Sequence, residues 1–141
     1  MKTDNAYFAG LFDGEGCVFA HHGFNRKKAH RFNYGVHVSN TDPRPLLKLQ
    51  EAFGGAVKPV PRLPHQRPLF KWIAYTRGAV AFAHEILPYT IIKRDQLEMM
   101  IALAQLCQLG RNEKLSKEEI SERMDLIGRI TMDKKNVWEL K

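Results

Sequence analysis

Cysteine is scarce in this sequence, and long apolar runs are missing. Cys17 and Cys107 are the two cysteines among 141 residues, too few and too far apart for a metal knuckle or a disulfide framework. Both are read as reduced, Cys107 as a small core residue. No apolar stretch approaches the roughly 20 residues that span a bilayer, and the N-terminal residues lack the charged-then-apolar layout of a secretory signal. The expectation is a protein of the cytoplasm, or of an organellar matrix if organelle-encoded, that is not secreted and meets no membrane. Internal repeats and linker-like stretches are also lacking, so residues 1–141 read as one domain. A hydrophobic content of 44% and a charged content of 26% are ordinary for a globular protein and allow a core without covalent staples.

Acidic residues are nearly absent from the middle of the chain. Residues 21–77 hold 11 Lys/Arg against two Asp/Glu, whereas residues 1–20 hold one against three and residues 78–141 hold 10 against 10. The whole net charge of +7 therefore comes from the middle segment, which also carries five of the six histidines. A merely solvated face would intersperse the two signs. One-sided positive charge favours a polyanion, most simply nucleic acid. A zinc site is set aside, because His21, His22 and the scattered other histidines lack ligand spacing with cysteine or acids.

Patterning orders the elements as helix, hairpin, helix, hairpin, helices. Thr3 or Asp4 is read as the cap of a first helix running to about Asp13, with Gly14 and Gly16 as its stop. Cys17 to His22 reads as a strand and residues 23–30 as a polar, basic hairpin tip. Arg31 to Asn40 alternates most clearly, with Phe32, Tyr34, Val36 and Val38 on one face and Arg31, Asn33, Gly35, His37 and Ser39 on the other. That second face suits base edges, although an ordinary solvent-facing strand has similar residues. Asn40-Thr41-Asp42-Pro43 caps a second helix, which ends at Gly54-Gly55. Ala56 to Leu63 and Leu69 to Thr76 form a second hairpin; Pro59 and Pro61 make its first strand irregular or an edge. In Phe70 to Tyr75 both alternating sets are bulky, and pattern alone assigns no faces. Helices follow from Arg77 to Pro88 and from about Thr90 to Leu109. A capping box at Ser116-Lys117-Glu118-Glu119 opens a last helix, with Ile120, Met124, Ile127 and Ile130 as its stripe. The methionines read as core filler, and Val137, Trp138 and Leu140 as a tail that docks. This is an α+β class with a four-stranded antiparallel sheet.

One stretch is electrostatically odd. Phe8-Ala9-Gly10-Leu11-Phe12-Asp13-Gly14-Glu15-Gly16 puts acids where the helix macrodipole is negative, at a cost of roughly 0.3–1 kcal/mol. It also places a glycine inside the helix, which costs about 1 kcal/mol relative to alanine. A buried helix with a glycine C-cap is the plain explanation. The alternative is a helix that packs closely on a partner and delivers carboxylate to a cation.

The same nine residues resemble the LAGLIDADG motif of homing endonucleases, with Phe at the first and fifth positions and Glu as the final acid. Val38-Ser39-Asn40-Thr41-Asp42 with Leu46-Leu47 and Phe53-Gly54-Gly55 resembles that family's second strand and second helix. Leu87-Pro88-Tyr89 with Lys93 and Gln96 resembles its Pro-Tyr/Phe-x-x-x-Lys segment. The resemblance spans roughly Thr3 to Leu109, leaving about 110–141 as a C-terminal helical extension, and implies an αββαββα domain with a saddle-shaped sheet.

The resemblance further implies a homodimer, since one motif is present, with Ala9, Gly10, Phe12 and Asp13 at the helix interface. Glu15 corresponds to the metal-binding catalytic acid, with the carbonyl of Gly14 as a second ligand for Mg²⁺ or another divalent cation such as Mn²⁺. Asn40, Arg44 and Lys93 correspond to groups that order water and stabilise phosphate charge. Glu for Asp, and Asn40 where Gln is common in homodimeric relatives, are departures. The implied activity is hydrolysis of both strands of a long, near-palindromic DNA duplex, leaving 3′ overhangs, with no small-molecule substrate. His21, Arg31, Asn33, His37 and Ser39 would read bases, while Arg26, Lys27, Lys28, Lys58 and Arg62 would meet phosphates or bases. Two other readings stand beside it: a non-cleaving DNA- or RNA-binding maturase or regulator on the same fold, and a symmetric structural or adaptor protein that leaves the basic segment unexplained.

Overall fold

The computed structural model describes residues 2–108 and 114–133. Its elements are α1 (Lys2–Glu15), β1 (Gly16–Phe24), β2 (His30–Asn40), α2 (Arg44–Phe53), β3 (Ala56–Val60), β4 (Leu69–Tyr75), α3 (Thr76–Ile86), a 3₁₀ turn (Leu87–Tyr89), α4 (Arg94–Gln108) and α5 (Lys117–Asp133). The strands form one antiparallel sheet in the order β1-β2-β4-β3. Pro59 lies in β3, an edge strand, where its missing N–H removes nothing from a central ladder.

Register decides the faces. Val36 pairs with Val18 and Ala74, and Val38 with Trp72. All five are buried and form the sheet's inner surface, together with Ala20 and Tyr34. Phe8 and Phe12 of α1, Leu46 and Leu49 of α2, Phe82 and Ile86 of α3, and Leu97, Met100 and Leu103 of α4 cover that surface. Phe82 is the centre of an aromatic cluster, edge-on to Phe12, Phe53 and Trp72 at centroid distances of 5.3, 5.0 and 5.0 Å. Such pairs add about 0.5–1.5 kcal/mol each beyond area burial. The indole N–H of Trp72 is satisfied by the Gly54 carbonyl at 2.8 Å. Gly54 and Gly55 have φ of +74° and +85° as the chain leaves α2. A side chain at Gly55 would also strike the Ile73 carbonyl at 2.6 Å, so only glycine allows this approach.

Several boundaries differ from expectation. α1 begins at Lys2, ahead of both proposed caps, and continues through Gly14 to Glu15. Gly14 has φ in the ordinary range and does not act as a stop; the helix ends where Gly16 enters the β1 ladder. α2 has Pro43 as its cap without a side-chain hydrogen bond. Asn40 Oδ1 instead accepts the Asp42 N–H, and Asp42 Oδ1 the Arg44 N–H, each at 3.0 Å, giving two successive Asx turns. β3 stops at Val60, and α4 starts only at Arg94, because residues 87–93 are spent on the 3₁₀ turn and the link after it.

The capping box at the start of α5 is present, with the Glu119 N–H on Ser116 Oγ and the Ser116 N–H on Glu119 Oε1, both at 3.1 Å. The Ser116 N–H is also what holds the Glu119 carboxyl below its usual titration range. The expected α5 stripe holds except at one position, with Ile120 half-buried like Ile127. Met124 is exposed, while Arg123 and Ile130 are buried and Leu126 and Ile127 half-buried. Arg123 donates to the carbonyls of Glu119 and Leu106, and its guanidinium lies 5.7 Å over the Phe32 ring. A planar fork with five donors reaches two carbonyls and an aromatic face at once, which lets a residue that pattern would leave in water be buried. Cys107 is half-buried against the core, and burial raises its thiol pKa. The tail expected to dock lies outside the described residues.

Candidate nucleic-acid interface and acidic helix end

Among the described residues the helices cover one side of the sheet and leave the other open. Pairing fixes which side chains share the open side: Cys17 opposes His37, Phe19 opposes Gly35, His21 opposes Asn33, and Gly23 opposes Arg31. Ser39 and Lys58 each pair with Lys71. His21, Arg31, Asn33, His37, Ser39 and Lys58 thus lie on one surface, as β2 alternation led us to expect. Arg26, Lys27 and Lys28 sit at the exposed hairpin tip, which Asn25 braces by accepting the N–H groups of Lys27 and Ala29 at 2.9 and 3.0 Å. Arg62 is exposed in the β3–β4 connection.

Lys71, which the sequence groups with Lys58, Arg62 and Arg67 as basic surface, belongs to the same face through its pairing with Ser39 and Lys58. Lys58 and Lys71 stand directly opposite each other. Like charges at that position destabilise a sheet by some tenths of a kcal/mol. An anion above the sheet would reverse that cost. Phe19, Ile73 and Tyr75 are an omission: the open face has an apolar centre. In β1 neither Val18/Ala20 nor Phe19/His21 is polar enough to mark the outside.

The acidic end of α1 is the second part of the site. Gly16 is fixed by close packing, since a Cβ there would fall 2.3 Å from the ring of Phe12. That contact, with the Gly16–Val38 pairing, sets the end of α1 alongside the end of β2, where Asn40 lies. Glu15 is exposed there and has no hydrogen-bond or ion-pair partner among the described residues. Asp13 behaves differently. Its carboxylate accepts the Ile91 N–H at 2.8 Å and the Lys93 N–H at 3.0 Å. The acid that opposes the dipole of α1 therefore sits just ahead of α4, where a negative group is favourable. Its place in the sequence has a structural cause, and no cation is needed to explain it.

Lys93 is half-buried and held by its backbone to the end of α1. Arg44 is exposed and clamped to Asp42, with Nη2 2.6 Å and Nε 3.0 Å from Oδ2. This guanidinium and the Arg44 N–H hold the Asp42 carboxyl at about 2, and the carboxylate raises the arginine in return. Asn40 has committed its oxygen to the turn, leaving Nδ2 as its donor.

The expected dimer residues divide. Ala9 and Phe12 are fully buried within the chain, and Phe12 packs on Phe82 of α3 and against Gly16 of β1. Asp13 is occupied by Ile91 and Lys93. Gly10 is exposed, and Cβ atoms at Gly10 or Gly14 would meet nothing within 4 Å. Tyr7 shares that side of α1 and is exposed, as are Ile91 and Ile92 at 86% and 67%.

Oxygen donors of the Glu15 and Gly14 type suit a hard cation such as Mg²⁺ or Mn²⁺. Among the described residues no three His, Cys, Asp or Glu converge on one point. A single chain thus offers one carboxylate and a carbonyl in the last helical turn, where carbonyls lack helical partners. The set fits half of an oxygen-rich site. Among the described residues no helix is long and apolar enough to cross a membrane.

No family model matches the sequence, and no curated protein matches it. Solved structures do match. The homing endonuclease I-CvuI, in complex with the I-CreI target in the presence of Mg and with its DNA not cleaved, has a TM-score of 0.76 at 17% identity, covering 99% of this chain and 87% of that one. The archaeal intron-encoded homing endonuclease I-Vdi141I, complexed with DNA, gives 0.76 at 15% identity over 99% and 89%. The LAGLIDADG homing endonuclease I-SmaMI, bound to cleaved DNA, gives 0.69 at 15% identity over 88% of this chain and 42% of that one. With α1, the two hairpins flanking α2, the four-stranded antiparallel sheet and the helices after it, the chain has the αββαββα fold of LAGLIDADG homing endonucleases.

Proposed function

We propose that the protein is a site-specific double-strand DNA endonuclease that acts as a homodimer on a near-palindromic duplex with Mg²⁺ or Mn²⁺. The observation that carries this reading is the exposed, unpartnered Glu15 at the end of α1, beside a lysine that Asp13 ties to the same end. An exposed acid at the negative end of the helix dipole, with no protein partner among the described residues, is available to a cation. The solved structures of like fold support the DNA partner, since I-CvuI and I-Vdi141I are seen with DNA.

The open side of α1 supports the second copy. Gly10 and Gly14 leave room for another helix backbone, and Tyr7, Ile91 and Ile92 supply apolar surface around it. Two copies related by a twofold axis would bring two Glu15 carboxylates together and require two-fold symmetry of the DNA site.

In this mechanism the sheet and its basic rim bind and orient the duplex. Glu15, with the Gly14 carbonyl, would hold the cation. Asn40 Nδ2 orients water, and the Lys93 ammonium stabilises negative charge on phosphate oxygens. When bound, a divalent cation lowers the pKa of water and neutralises the leaving oxygen. Cleavage would leave 3′ overhangs. Arg44, compensated by Asp42, contributes as a positioned rather than a free charge.

A supercoiled plasmid library incubated with Mg²⁺ tests this, with Glu15→Gln as the comparison. Wild type should linearise a subset of plasmids whose mapped ends carry 3′ overhangs, and Glu15→Gln should bind without cutting. Binding by both with cleavage by neither would replace this reading with the non-cleaving one.

A further inference from the structure

On a sheet face of histidines, lysines, Asn33 and Arg31, the centre is aromatic. Phe19 opposes Gly35 across the β1–β2 ladder, and Gly35 opposes Tyr75 across the β2–β4 ladder. The Phe19 ring lies down over this gap: a Cβ on Gly35 would come 2.5 Å from Phe19 Cζ and 2.4 Å from the Ala74 carbonyl. Gly35 is thus required for the ring to lie flat on the backbone. The imidazoles of His21 and His37 are near-parallel to the ring at centroid distances of 5.7 and 6.0 Å, and Tyr75 meets it edge-on at 5.7 Å. Phe19 is partly buried and Tyr75 exposed at 54%.

The helix side of the sheet supplies the whole core, so these rings add nothing to it. An apolar surface left in water is unfavourable in proportion to its area, and its position amid polar base-reading residue types assigns it a complementary apolar ligand. In the major groove the bases offer one such group, the C5-methyl of thymine. Resting on the reading of this face as a duplex-DNA surface, we propose that Phe19, held flat over Gly35 and flanked by Tyr75, is a specificity-determining residue that reads a thymine methyl group in each half-site.

The experiment begins by selecting bound duplexes from a random library with Ca²⁺ present. Each thymidine of the winning site is then replaced in turn by deoxyuridine, which removes the methyl group and nothing else. Wild type should lose about three- to tenfold in affinity at one position per half-site, the effect of one buried methyl contact, and little elsewhere. Phe19→Ser should bind thymidine and deoxyuridine duplexes equally while keeping the wild-type salt slope, which reports phosphate contacts. Tyr75→Ser, at an exposed position, gives the same comparison where Phe19→Ser does not fold, and should reduce the discrimination. Failure to select any duplex overturns the DNA reading itself. Selection of a site at which wild type is indifferent to every thymidine-to-deoxyuridine change, or full discrimination by a folded Phe19→Ser, overturns the methyl-reading role alone.

Discussion

Asp13 holds Lys93. Its Oδ1 accepts the Lys93 N–H at 3.0 Å while Oδ2 takes the Ile91 N–H at 2.8 Å, joining residues far apart in the chain. The clamp fixes the lysine-bearing segment to the helix that ends in Glu15, and it also holds Ile91 and Ile92 beside the open side of α1.

Asp13→Ala should therefore destabilise the chain and loosen the site together. Two hydrogen bonds to a charged acceptor are worth about 1.5–3 kcal/mol each in net terms, with non-additivity reducing the sum. We expect the urea midpoint to fall by an amount equivalent to about 2–4 kcal/mol without a change in slope. An unchanged midpoint would show that the bonds are replaced by water at no cost.

Gly16 and Gly10 should respond oppositely to alanine. At Gly16 the new methyl would overlap Phe12, and overpacking of this kind costs about 1–3 kcal/mol. At Gly10 there is free space within the chain, so alanine should favour the helix by about 1 kcal/mol yet weaken self-association. Thermal melts and sedimentation at several concentrations separate the two effects. Equal association of wild type and Gly10→Ala would remove this side of α1 from any dimer contact.

The Asp42–Arg44 clamp sets an acid-sensitive element. Because the Asp42 carboxyl is depressed from 3.8 to about 2, its contribution is complete above pH 3.8 and disappears as pH falls through about 2. A carbon NMR titration should place Asp42 near the lower value, and Arg44→Met should return it toward the upper one. A midpoint of 3.8 in wild type would mean that the clamp does not persist in solution.

Arg123→Met tests the buried guanidinium. It removes a side-chain donor from the Leu106 and Glu119 carbonyls, the latter still accepting within α5, and the lost hydrogen bonding costs about 1–3 kcal/mol, less whatever the new apolar packing restores. Arg123→Lys should fail to rescue, since an ammonium lacks the planar fork that reaches Glu119, Leu106 and the Phe32 face together. Rescue by lysine in a denaturation series would reduce the role of Arg123 to charge alone.

Much of this architecture was legible in the chain itself. Alternation in Arg31 to Asn40 marked both faces of β2, because Tyr34, Val36 and Val38 differ sharply from Asn33, His37 and Ser39. Ser116 and Glu119 announced the start of α5, since capping needs only local groups. The order of elements followed from helical and strand periodicities broken by glycine and proline. The motif at Phe8 to Gly16 located the acidic end of α1, and the charge deficit over residues 21–77 located the basic surface. These are properties of neighbours in sequence.

What only the tertiary structure decided depends on residues distant in sequence. Phe70, Trp72 and Ala74 turn inward because β4 pairs with β2 in a register that sets Trp72 opposite Val38, whereas either alternating set of β4 is bulky enough for a core. Phe12 packs on Phe82 of α3 and against Gly16 of β1, with Ala9 buried as well, a matter of helix rotation that a small or apolar residue type does not specify. The resemblance set Glu15 apart from Asp13, but the partners of Asp13 emerged only once the 87–93 segment came back to it. Phe19 became a candidate reader only when Gly35 was found beneath its ring. Local propensity and period are encoded residue by residue, but register, helix rotation and long-range hydrogen bonds emerge when distant segments compete for the same buried space.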